Sequence, residues 1–186
     1  EQALLALARL NFQAGNSANA VDEEGSRTVT EESLASYAAA IDAWQRYLDT
    51  DPKPPDDDVA ILMTQAYENS WLSSASVSEL EGAIEGGLEA SEIVADARPS
   101  FGTYITLGTW AYRSGDDKLG DRAREDALKE ASDSTARQQV SQTLDQAELQ
   151  GKAIAKASKQ GATSPEQLED PLGGLGGGSA IPGSGG

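Results

Sequence analysis

The sequence predicts an all-α chain: an α-solenoid of about three antiparallel helix pairs, with a C-terminal capping helix and an extended glycine-rich tail. Three observations predict it. The stretch Ala40-x-x-x-Trp44-x-x-Tyr47-Leu48-x-x-x-Pro52 sets a small residue, a large aromatic one turn later and an apolar pair, then a proline that no helix continues through. Aromatic residues make up only 5% of the chain while alanine is abundant, which favours closely packed helices over a β-sandwich. The punctuation Gly15-Asn16 returns as Gly115-Asp116, each after an apolar stretch of helical spacing.

Residues 3–14 place Leu4, Leu7, Ala8 and Leu10 at helical spacing and predict a first helix ending at Gly15-Asn16. The polar insertion 17–30, with Asp22-Glu23-Glu24-Gly25 at its middle, reads as an exposed, solvated loop. Thr30-Glu31-Glu32-Ser33 supplies an N-cap and acids for the first turn of a second helix running to Thr50. Pro52, Pro54 and Pro55 break the chain, and Asp56-Asp57-Asp58 opens a third helix over residues 59–71. Ser76 or Ser78 caps a fourth, which stops at Arg98-Pro99. Residues 100–113 and 117–131 form the next pair, and Ser132-Asp133-Ser134 caps a last long helix to about Gln160. Residues 1–160 therefore constitute the helical domain, and residues 161–186 a Gly/Pro/Ser-rich low-complexity tail.

The pairs share punctuation. Leu4, Leu7, Ala8, Ala40, Trp44, Tyr47-Leu48 and Pro52 mark the first, and Tyr104, Leu107-Gly108, Gly120 and Ala127-Leu128 the third, at the roughly 34-residue spacing of one repeat type. The middle unit is looser, with Met63, Tyr67, Ala83, Gly87 and Ala90. Small residues let helices approach, large ones fill the gaps, and a single pair cannot bury its faces alone. On these residues the chain resembles the tetratricopeptide repeat family over residues 1–132, with a solvating last helix. Asn11 and Ala111 stand where that family's pattern has an aromatic, each beside one (Phe12, Tyr112). Arg98-Pro99-Ser100 and Leu107-Gly108-x-x-x-Tyr112 look like bacterial members with an N-terminal membrane anchor. The resemblance implies a right-handed superhelix whose concave groove holds a peptide or partner helix. It also implies an extracytoplasmic or membrane-anchored location through a segment upstream of Glu1.

Composition narrows function. The 186 residues lack cysteine and histidine, which removes disulfides, thiolate sites, the commonest general base and the commonest zinc ligand. An enzyme would need unrecognised carboxylate chemistry, so no catalytic residue, cofactor or metal is expected. The net charge of −17 disfavours nucleic acid and anionic lipid. The uncharged stretch 99–112 is too short to span a bilayer. An acidic groove would select a partner that is basic, or that presents backbone and apolar groups.

The candidate sites are few. Asp56-Asp57-Asp58 lacks the alternating ligands of a calcium loop and reads as acids at a helix N-terminus. Gly82, Gly86 and Gly87 cost a helix about 1 kcal/mol each relative to alanine, which points to close contact within the repeat or between subunits. Trp44 and Trp110 fall at core positions. Trp71, at a helix end near Tyr67, divides evenly between core and an exposed partner-binding anchor. Lys152, Lys156 and Lys159 share a face of the last helix and complement its dipole, or meet another copy's acidic body. The expected function is a non-catalytic protein–protein interaction scaffold. The alternative is a self-assembling filament, tube or ring, in which the tail's glycine-spaced anchors Leu172, Leu175, Ile181 and Pro182 dock on a neighbouring copy.

Overall fold

Seven helices dominate the computed structural model, which describes residues 1–21 and 27–164. They are α1 (Gln2–Ala18), α2 (Glu31–Leu48), α3 (Asp57–Leu72), α4 (Val77–Ala97), α5 (Phe101–Ser114), α6 (Asp117–Glu130) and α7 (Ser134–Gln160). Short segments β1 (Ala20–Val21) and β2 (Arg27–Thr28) pair antiparallel in the insertion, with Ala20 opposite Thr28. Residues 22–26, most of the acidic loop motif, lie outside the described residues, as do the tail anchors Leu172, Leu175, Ile181 and Pro182.

Helix starts follow capping chemistry. The Thr30 hydroxyl accepts the Ser33 amide at 3.1 Å, and Ser33 reciprocates in a capping box. Ser76, not Ser78, caps α4; Ser100 caps α5 in a second box with Thr103; Asp116 and Asp133 cap α6 and α7. Asp56 caps α3 through the Val59 amide at 2.8 Å, while Arg98 bridges Asp57 and Asp58 and Arg9 reaches Asp56 at 3.2 Å. The three aspartates are thus engaged by a helix end and two arginines.

One predicted helix end is wrong for a physical reason. Gly115 ends α5 in the left-handed conformation at φ 81°, which glycine adopts without strain. Gly15 instead lies inside α1, which continues to Ala18. A Cβ on Gly15 would sit 2.6 Å from the Tyr37 ring of α2, so this glycine is a contact point and not a stop. The Tyr37 hydroxyl then donates to Asn16 Oδ1 at 2.8 Å and accepts from Asn19 Nδ2 at 3.1 Å, holding the extra turn.

Helices adjacent in the chain pack on one another throughout. Beyond these, α1 packs on α3, and α7 packs on both α5 and α4, while α4 on α5 joins the second pair to the third. The main core runs from Ala8 and Phe12 of α1 through Tyr37, Trp44, Met63 and Leu80 to Trp110 of α5 and Ile154 of α7. Trp44 and Trp110 are both fully buried within it. A smaller cluster joins Tyr112, Ala127, Val140 and Leu144.

Small-to-large complementarity sets the spacing within pairs. A Cβ on Gly86 of α4 would lie 2.2 Å from the Tyr67 ring of α3, and one on Gly120 of α6 would lie 2.7 Å from Tyr112 of α5. Gly87 meets Trp110 in the same way, so both of these α4 glycines serve contacts within the chain. Gly82 has no neighbour within 4 Å of its would-be Cβ. The same substitution along one helix should therefore have opposite signs in urea denaturation. Gly82→Ala stabilises by about 0.5–1 kcal/mol through backbone entropy alone. Gly86→Ala destabilises by about 1–3 kcal/mol because the buried ring must move.

Candidate functional site

α3 and α5 both pack on α4, and a groove of about 490 Å³ opens between them. Its walls are Ile61, Thr64, Gln65 and Glu68 of α3 and Thr103, Thr106 and Thr109 of α5, with Ser91 and Val94 of α4 as floor. The hydroxyls are oriented by their own helices. Thr64 donates to the Ile61 carbonyl at 2.7 Å, Thr106 to Gly102 at 3.1 Å, Thr109 to Ile105 at 2.8 Å and Ser91 to Leu88 at 2.8 Å. Each hydrogen is used locally, so the oxygens retain acceptor capacity toward the groove. A ligand matched to this lining presents N–H donors and small apolar groups.

At one end of the groove the half-exposed Glu68 pairs with the buried guanidinium of Arg113. Arg113 of α5 donates from Nη1 to Glu68 Oε2 at 2.6 Å and from Nη2 to Glu68 Oε1 at 3.2 Å, and its Nε bonds Gln150 Oε1 of α7 at 3.0 Å. The guanidinium carbon stacks 3.8 Å from the Trp71 ring centroid and 5.0 Å from that of Trp110. The Arg113 side chain is 7% exposed against 39% for Glu68, so the charge is buried with its partners already in place.

This geometry relocates the sequence-predicted anchors. Trp71 is 2% exposed, and its ring is the platform for Arg113 rather than a surface anchor. Tyr67 is also 2% exposed: its ring covers Gly86, and its hydroxyl accepts from Gln45 Nε2 at 3.4 Å. Burial pushes the Tyr67 phenol up to about 12, so it stays protonated at any physiological pH. Neither ring is exposed, because Tyr67 packs over Gly86 and Trp71 packs against Arg113. Lys152 is engaged by Glu148 one turn back on α7.

The groove is also not acidic. Glu68, its one carboxylate, is neutralised by Arg113, whereas the exposed acids Glu85, Glu89, Glu92 and Asp96 recur on another face of α4. Partial burial, then Glu85 and Glu92, raises the Glu89 carboxyl above its ordinary 4.5. Glu92 is raised by burial and by Asp96 and Asp116, with Arg122 opposing. Among the described residues, no group of three or more carboxylates is placed to hold a metal ion. No helix among them is long and apolar enough to cross a membrane.

Sequence reasoning missed Arg113, Glu68 and Gln150. A signal existed for the first: Arg113 directly follows the uncharged stretch 99–112, and a charge ending so apolar a helix is poorly placed to reach water. Nothing local marks Glu68 or Gln150 as its partners, since they lie on other helices. Comparison with protein-family models, curated proteins and solved structures finds no match to this chain.

Two outcomes follow from these electrostatics. Glu68→Gln leaves the buried guanidinium without its anion and should cost on the order of 1–3 kcal/mol in urea denaturation. The raised carboxyls of Glu89 and Glu92 mean that the fold holds these protons more tightly than the unfolded chain does. Their ionised forms therefore oppose folding at neutral pH, and that opposition fades as pH falls toward their raised values. Glu89→Gln and Glu92→Gln should each raise the melting temperature at pH 7, with a gain that shrinks as the pH falls through their raised values toward the ordinary 4.5.

Proposed function

We propose that the chain is a non-catalytic, tetratricopeptide-like scaffold of three helix pairs that holds an extended peptide or partner helix in the α3/α5 groove. The observation that carries this reading is the groove's lining: open, neutral, and furnished with acceptors whose hydrogens are already used. The three-pair reading draws on a shared device, since each pair closes on a glycine beneath a tyrosine: Gly15 and Tyr37, Gly86 and Tyr67, Gly120 and Tyr112. The groove's polar groups also favour binding over catalysis. They are back-bonded hydroxyls, the Gln65 amide and a carboxylate held by arginine, and none is paired as nucleophile and base.

A second reading, self-assembly, is favoured by α1. Ala3, Leu7, Leu10 and Ala14 recur at heptad-like spacing and are all exposed, with Leu10 at 63%. If that stripe assembles copies, Leu10→Glu lowers the mass measured by light scattering.

Peptides selected against the full chain from a randomised library test the first reading. Ile61→Arg and Thr106→Arg should each weaken their binding by about tenfold or more, the effect of losing about 1.4 kcal/mol; Thr106→Arg, at a half-exposed hydroxyl, should do so with little change in melting temperature, whereas Ile61 also packs on the core. Binding indifferent to both substitutions removes the groove as the partner site.

A further inference from the structure

The chain carries a segment whose chemistry matches the groove. Resting on the groove reading above, we infer that residues 171–182 occupy the α3/α5 groove of their own molecule and must be displaced by a partner. The first argument is charge. The protein has a net charge of −17, yet residues 171–186 contain no charged side chain. The groove is likewise free of unpaired charge, because Glu68 is held by Arg113.

Other depressions fit this segment less well. The one between α2 and α4 is lined by Asp42 and Glu79, the one between α4 and α7 by Glu81 and Glu85, and the one beside Pro52 by Asp51, Glu89, Glu92 and Asp96. The first and the third would repel Glu166, Glu169 and Asp170, which lead into the uncharged segment, and the second, which also carries Arg113 and Lys159, is a charged site poorly matched to an uncharged chain.

The second argument is complementarity of groups. Thr64, Thr106 and Thr109 retain acceptor oxygens, and a glycine-rich chain offers backbone N–H donors that no side chain shields. For Leu172 and Leu175 the groove provides Ile61, Val94 and Ile105 as apolar surface.

The third argument is reach. The Val77 amide donates to the Thr163 carbonyl at 3.3 Å, which pins the chain's exit from α7 at the start of α4, shortly after α3 ends at Leu72. Glu68 and Ile61 lie on the order of 6 and 17 Å back along α3 from Leu72, at 1.5 Å per residue. Residues 165–170, fully extended, span about 20 Å, enough to carry residue 171 back past the end of α3 to the Glu68 end of the groove, with residues 171–182 to run along it. A tether this short gives the segment an effective concentration of about a millimolar, so a weak contact suffices to fill the site.

The absence of cysteine makes the test direct, because Ser179→Cys in the full chain accepts a spin label at one position. With the label on isotopically enriched protein, the inference predicts strong broadening of the Thr64, Gln65, Thr106 and Thr109 amides. The amides of α6 should be spared. Leu172→Asp combined with Leu175→Asp should remove the broadening and strengthen binding of library-selected peptides severalfold. Mixing labelled, unenriched chains with enriched, unlabelled ones should give no broadening. Broadening only in the mixture means that the segment docks on another copy, and broadening nowhere in the groove means that it docks elsewhere or not at all; either result overturns the inference. If the label fails but Ile61→Arg still abolishes peptide binding, the groove reading stands without its internal occupant.

Discussion

The close approach of glycine to an aromatic ring is the constraint on which the rest of the structure depends. Gly15, Gly86 and Gly120 each bring a helix backbone onto the ring of Tyr37, Tyr67 or Tyr112 in its partner, and Gly87 repeats the contact with Trp110 across the next interface. A methyl group at any of these positions would overlap ring atoms, so the interhelix distance is fixed by the smallest side chain meeting the largest. Pairs held at that distance bury their remaining apolar faces only by stacking, which the contacts between successive helices accomplish. Half of the chain's eight tyrosines and tryptophans, Tyr37, Tyr67, Tyr112 and Trp110, are placed at these contacts.

The groove follows from this packing. α4 presses Gly86 and Gly87 against α3 and α5 in turn, so those two helices rest on a common floor with a space between them. Arg113 then joins α3, α5 and α7 at one end of that space by pairing with Glu68 and Gln150 and stacking on Trp71. A buried charge so completely partnered fixes the relative placement of three helices more than it adds stability, because desolvation offsets much of its Coulombic gain. It also leaves the groove without unpaired charge inside a strongly acidic molecule.

Much of the fold was legible in the sequence because it rests on local chemistry. The caps at Thr30, Ser76, Ser100, Asp116 and Asp133 and the stop at Gly115 are decided within a few residues, and helix limits fall within a few residues of expectation where such signals exist. Gly15 was misread because a glycine at a helix end and a glycine under a ring look alike until the partner helix is known. Trp71 and Tyr67 were read as candidate surface anchors for the same reason: burial by Arg113 and Gly86 is a non-local fact. The acidic groove was an average over the chain, whereas the charge is partitioned, with exposed acids along α4 and hydroxyls between α3 and α5. Sequence periodicity locates faces; it does not say which faces meet.

The central claim is that binding takes place between α3 and α5, on a surface created by the glycine–ring spacing. Hydrogen exchange of the full chain, with and without a bound library-selected peptide, tests it most directly. Protection on binding should concentrate in residues 61–68 and 103–110, with little change along the exposed acids of α4. Protection confined to Glu85, Glu89, Glu92 and Asp96, with the α3 and α5 segments unaffected, would contradict the account.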